Sequence, residues 1–186
     1  MPLANDTSHV MSPRWGALAL SALLTTCSPV LAPVEITGPE FDPVRFFSGH
    51  VRSWGVLENR SGEPTAVVTT DCTGTVAPDG TLAMTQVLHV GTEPAQTRRW
   101  TMRRGDGGLY EATANDMAGT ATGLAAGRAF HWQWTLELEP GNALKNVTMA
   151  QWWYLQDDGS MLNRTVISKL GIIAAEVTEV FRPDQR

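Results

Sequence analysis

Asp157 and Asp158 stand side by side, followed by Gly159. Adjacent carboxylates can share acid–base work when their surroundings push their pKa values apart. In this string the turn already accounts for them, because Asp-Gly supplies the backbone angles a tight turn demands. His50, His89 and His131 are scattered, without the His-Glu-x-x-His spacing that sets two imidazoles on one metal. No Gly-x-Ser-x-Gly elbow, phosphate loop or dinucleotide fingerprint occurs. The sequence therefore assigns no catalytic residue, metal ligand or cofactor, and enzymatic activity is the less favoured expectation.

Binding chemistry is better represented. Trp54, Trp100, Trp132, Trp134 and Trp152 could line a pocket for an apolar ligand, since such pockets are mostly apolar with a few polar groups. The competing role is simple filling of a core, and it is the commoner fate of a single tryptophan. Asn163 and Arg164 form a polar pair in an apolar stretch. On alternation Arg164 shares a face with Leu162 and Val166. There it either stacks on a tryptophan, with Trp54 the expected partner, or meets a ligand carboxylate. Arg98, Arg99, Arg103 and Arg104 gather on one hairpin; a solvated tip explains them better than a site for anionic headgroups.

The elements that must position these residues read as strands. Phe130, Trp132, Trp134, Leu136 and Leu138 alternate with His131, Gln133, Thr135, Glu137 and Glu139. A strand separates the two sets cleanly and a helix would scatter them. The pattern places His131 on the polar, exposed side. Trp152 and Trp153 must face opposite ways. Turn signals recur at residues 59–62, 78–80, 91–94, 105–108, 115–116, 126–127, 140–142 and 157–159. This is hairpin spacing, and Asp-Gly-type pairs supply the positive φ that hairpins need. The expectation is an all-β, antiparallel up-and-down meander of nine or so strands. It should close into a barrel of about 8–10 strands, because closure removes exposed edges. One short helical piece is expected around residues 168–171, before a last strand at 173–182. A barrel of this size is either filled by side chains or holds one small ligand.

Ahead of the strands, residues 16–24 form an apolar run too short to span a bilayer, with Arg14 as its positive flank. It matches the core of a secretion signal, with Met11 a candidate true start. The string Leu24-Thr25-Thr26-Cys27 resembles a bacterial lipobox, although Thr26 stands where Gly, Ala or Ser is usual. The division expected is a signal peptide over 1–26, an extended proline-bearing linker over 27–45, and a barrel domain over 46–186. Lipidation of Cys27 would tether the protein to a membrane on the periplasmic side of a bacterial envelope. A Cys27–Cys72 disulfide and an ordinary cleaved signal are the open alternatives. With 186 residues the chain fits one domain, and its net charge of −5 excludes a nucleic-acid surface, which needs a dominant basic face.

Together the strand blocks resemble DUF3833, a family of bacterial proteins of unknown function, many of them lipoproteins. The matching strings are Phe46-Phe47-Ser48-Gly49, Trp54-Gly55, Arg60-Ser61-Gly62 and Arg99-Trp100-Thr101. Further matches are residues 110–116, Gly119-Thr120-Ala121, residues 152–159, Leu162-Asn163-Arg164 and Ser168-Lys169-Leu170-Gly171. The resemblance implies a lipocalin-like barrel. It implies no activity, only lipid-related work, since members are often encoded beside enzymes that modify membrane fatty acids. The functional expectation is an envelope lipoprotein that binds a fatty acid or another small hydrophobic ligand. Two alternatives stand beside it: a solid barrel serving as a structural or interaction protein, and a lipid-modifying enzyme.

Overall fold

The computed structural model describes residues 36–138, 141–142 and 144–184. Cys27 and the expected signal segment lie outside the described residues. A short helix, α1 (Pro43–Phe46), precedes the strands β1 (Gly49–Asn59), β2 (Pro64–Val76), β3 (Leu82–Val90), β4 (Gln96–Arg104) and β5 (Leu109–Ala114). The chain continues through β6 (Met117–Ala126), β7 (Ala129–Glu137), β8 (Asn146–Leu155), β9 (Met161–Lys169) and β10 (Ile172–Pro183). Each strand pairs antiparallel with its neighbours in sequence, and β1 pairs with both β2 and β10. Ten strands thus close an up-and-down, lipocalin-like barrel.

Alternation sets what faces inward. On β7, Phe130, Trp132 and Trp134 are buried in the core. Trp153 is buried on β8, whereas Trp152 faces outward. Gly55 allows β1 to approach β10 closely: a Cβ there would stand 2.2 Å from the Thr178 carbonyl oxygen and 2.5 Å from Glu179 Cγ. The Trp54-Gly55 string thereby makes room for an interior carboxylate.

Two expectations change. Residues 168–171 are not helical. Leu170 and Gly171 both take positive φ, 50° and 80°, and form the two-residue turn between β9 and β10. The segment expected to be linker up to residue 45 joins the fold from its aromatic end. Asp42 caps α1, its carboxylate accepting from Arg45 N at 3.2 Å, and Pro43 opens the helix where no N–H is needed. Phe41, only 1% exposed, meets Phe130 and Trp153 at ring distances of 6.4 and 6.2 Å. Phe47 meets Trp153 and Phe181 at 5.5 and 5.8 Å. These rings close the barrel end at which β1 begins. Large apolar rings outcompete linker character because each buries 150–250 Å² or so. The opposite end, formed by the β1–β2, β3–β4, β5–β6, β7–β8 and β9–β10 turns, is the mouth.

Candidate functional site

Between plug and mouth the barrel interior holds a polar belt. It is built from side chains that alternation turns inward amid apolar neighbours: Gln86 on β3, Arg98 on β4, Gln151 on β8, Asn163 and Thr165 on β9, and Glu179 on β10. Hydrogen bonds link them. Trp100 Nε1 donates to Gln86 at 2.9 Å, and Trp134 Nε1 donates to Gln151 at 2.8 Å. Gln151 Nε2 donates to Thr165 Oγ1 at 2.9 Å. Asn163 Nδ2 donates to Thr165 Oγ1 and to Glu179 Oε2, both at 3.1 Å. Ser53 and Thr70 donate to Glu179 Oε1 at 2.7 and 3.1 Å. Burial pushes the Glu179 carboxyl above the ordinary carboxylate range, against these three hydrogen bonds, which pull it down.

Arg98 is the interior cation. The residue is 8% exposed, and its Nε donates to both carboxylate oxygens of Asp116 at 2.8 Å. Its guanidinium lies 4.9 Å from the Trp134 ring and 5.6 Å from Trp100, in cation–π range. Beside it, Trp132 Nε1 is buried without an acceptor among the described residues. Burying such a donor unpaired costs about 1–3 kcal/mol, so it marks a position where an acceptor is wanted.

Two chambers meet at the belt, sharing Gln86, Arg98, Gln151 and Glu179 as walls. The inner chamber, about 50 Å³, is aromatic and includes Trp100, Trp132 and Trp153. The outer one, about 160 Å³ on the mouth side, is lined by Leu57, Leu88, Val90, Leu136 and Ile167 among others. Pockets for drug-sized ligands run to roughly 300–1,000 Å³, so only a slender molecule fits here without rearrangement.

The tryptophans and the polar pair singled out in sequence divide between the two sides of the wall. Trp100, Trp132, Trp134 and Asn163 face the interior. Trp54, Trp152 and Arg164 face outward. Trp54 is 50% exposed and lies under Arg52 at 5.8 Å, not under Arg164. Arg164 stacks on Trp152 at 5.7 Å and donates to Glu176 at 2.6 Å. Its strand register puts Met161, Asn163 and Thr165 inside, so the apolar face it shares with Leu162 and Val166 is the outer one. His131 also differs from expectation. It is outward but buried, stacked on Trp152 with ring centroids 4.6 Å apart, and its Nδ1 lies 2.9 Å from the Gln151 carbonyl oxygen.

Arg98 and Glu179 were missed. Arg98 belongs to two arginine pairs, Arg98-Arg99 and Arg103-Arg104, that read as a solvated hairpin, and only the alternation Arg98, Trp100, Met102 shows that it turns inward. On β10, Val177, Glu179 and Phe181 carry the same signal. Arg99 and Arg103 do face solvent, and Arg103 pairs with Glu111. The Asp158 carboxylate accepts from Ser160 N at 2.9 Å and Ser160 Oγ at 2.6 Å, which holds it below the usual carboxylate range and serves the turn. Cys72 is buried with a free thiol.

The model of a family described as "Protein of unknown function (DUF3833)" matches residues 21–183. No curated protein matches the chain. Among solved structures, the S-type phycobiliprotein lyase CPES from Guillardia theta is similar, with a TM-score of 0.56 at 7% identity. The likeness covers 77% of this chain and 91% of the lyase, and at that identity it establishes the fold alone.

Proposed function

The chain belongs to the DUF3833 family, and from that premise we propose that it is a lipocalin-like binding module for a slender apolar molecule with an acceptor headgroup, of the fatty-acid class. The observation that carries this reading is Trp132 Nε1, a buried donor without an acceptor that lines the same chamber as Arg98. A carboxylate or carbonyl reaching the belt would accept from both, while its chain lies in the outer chamber toward the mouth. We further propose that Cys27 carries the lipid that tethers this module to the bacterial envelope. Sequence supports that part, through the apolar run at residues 16–24 and the lipobox-like string.

The test uses the purified full chain and saturated fatty acids of about eight to sixteen carbons, chosen to match a pocket of this size. Binding is followed by tryptophan fluorescence and calorimetry. Arg98→Gln should weaken binding by about tenfold or more, the worth of a hydrogen bond to a charged group. Trp132→Phe removes the donor but also one ring of the indole at a buried site packed on Trp100, Phe130 and Trp153, so its melting temperature should fall by the cavity left behind. It should weaken binding several-fold when measured well below that temperature. Absence of binding across the series, or affinity indifferent to both substitutions, would overturn the reading.

One observation favours a solid barrel instead. The two chambers are small, and aromatic rings occupy much of the inner one. On that reading the same titrations show nothing, and interactions run through the outer wall, where Trp54, Val67 and Val180 are exposed.

A further inference from the structure

The chain contains two lysines, Lys145 and Lys169, and both flank the mouth. Lys145 immediately precedes β8, Lys169 ends β9, and the Lys169 ammonium donates to the carbonyl of Asn146, which joins the two hairpins. The same two hairpins carry exposed apolar side chains: Leu144 on one, Leu170, Ile172 and Ile173 on the other. Leu170 is 91% exposed and Ile172 67%. Of the acids at this end, Glu137 lies opposite Asn146 in register, Glu58 on β1 lies opposite Glu176 on β10, and Glu63 accepts from Asn59 in the β1–β2 turn.

Leu170 is out of place by two independent rules. Its φ of 50° is the left-handed region, disfavoured for a bulky residue, and the first position of such a two-residue turn ordinarily takes Asn. An apolar side chain also gains nothing in water. A leucine there, followed by two isoleucines, makes sense where the tip meets an apolar medium.

We propose that this side of the barrel mouth docks on an anionic lipid bilayer, with Leu170 and Ile172 dipping into the acyl boundary and Lys145 and Lys169 meeting lipid phosphates. Local charge supports a bilayer: the two lysines border the Leu170 tip directly, as basic residues do at other membrane-surface segments, while Glu58, Glu63 and Glu137 lie on the flanking hairpins. A second copy of the chain is a poorer occupant, because four side chains on a convex tip fall well short of the ~800 Å² per partner that a stable interface buries. The inference goes beyond the ligand reading and stands whatever the barrel holds.

The test reads depth. In the full chain carrying Cys27→Ser, a fluorophore is placed on Ile172→Cys at the mouth or on Ala77→Cys in the β2–β3 turn at the other end; buried Cys72 stays unlabelled. The protein is mixed with phosphatidylcholine vesicles holding about 30% phosphatidylglycerol and nitroxide-bearing lipid. The position-172 label should be quenched and blue-shifted, and the position-77 label should not. Leu170→Asn together with Ile172→Ser should weaken vesicle partition about tenfold or more, while the relaxed turn keeps the fold. Lys145→Gln with Lys169→Gln should abolish most of the preference for phosphatidylglycerol. Equal quenching at both ends, stronger quenching at position 77, or dimers in sedimentation that vanish with Leu170→Asn would overturn the proposal.

Discussion

A carboxyl group inside a β-barrel must be neutral, paired or well bonded to remain there. Glu179 accepts three hydrogen bonds, yet burial still raises its pKa. Between the ordinary glutamate value and that raised value, the folded chain keeps a proton that the unfolded chain has released. Stability therefore falls as pH rises through this window. His50 acts in the same direction. Asp184 and Asp71 raise its pKa, so the stabilisation it contributes when protonated fades as pH climbs through its folded value. Comparison with Glu179→Gln isolates the carboxyl, because His50 is common to both proteins. Melting temperatures measured upward from the ordinary glutamate pKa should shift in favour of the variant as pH rises, and level off once the raised folded value is passed. Parallel curves would mean that Glu179 does not titrate on unfolding. Single residues were the least legible scale in the sequence. Of the seven binding candidates, Trp100, Trp132, Trp134 and Asn163 turn inward and Trp54, Trp152 and Arg164 outward, and the sequence reads Arg98 as part of a surface cluster. Charge draws attention outward, and only the parity of its position against Trp100 and Met102 places it inside.

The strands were legible because period-2 alternation and Gly-rich turns are local properties, fixed by pleat and backbone angles. The plug was not. Phe41 and Phe47 lie in a proline-bearing stretch without periodicity, and their role comes from contacts with Phe130, Trp153 and Phe181 far along the chain, with Phe46 packed between them. No window of sequence contains that information. Phe41→Ala removes a ring that is 1% exposed and should cost about 3–5 kcal/mol, read as a lower urea midpoint with an unchanged slope. A loss below about 1 kcal/mol would show that the end of the barrel closes without it. The turn at Leu170–Gly171 was misread for a related reason, since Ser-Lys-Leu supports a helix locally, and the pairing of β9 with β10 decides the outcome.

At the scale of the molecule, closure through β1 and β10 leaves no unpaired edge strand among the described residues, which is the outcome the meander pattern favours. The address is a separate matter from the fold. If Cys27 bears the lipid, Cys27→Ser should move the protein from the membrane fraction to the soluble fraction of the envelope. Mouth docking alone would leave only a weak, salt-sensitive residue of membrane association. Unchanged firm association would defeat the tether.

Cys72 gives the closed barrel a clock. The thiol points inward from β2, fully covered, and burial raises its pKa so that little reactive thiolate exists while the fold holds. A thiol reagent can reach it only after the staves part. In a chain whose other cysteine is replaced, the labelling rate at high reagent concentration equals the rate at which the barrel opens. Any occupant that binds only the closed form must slow that rate in proportion to its occupancy.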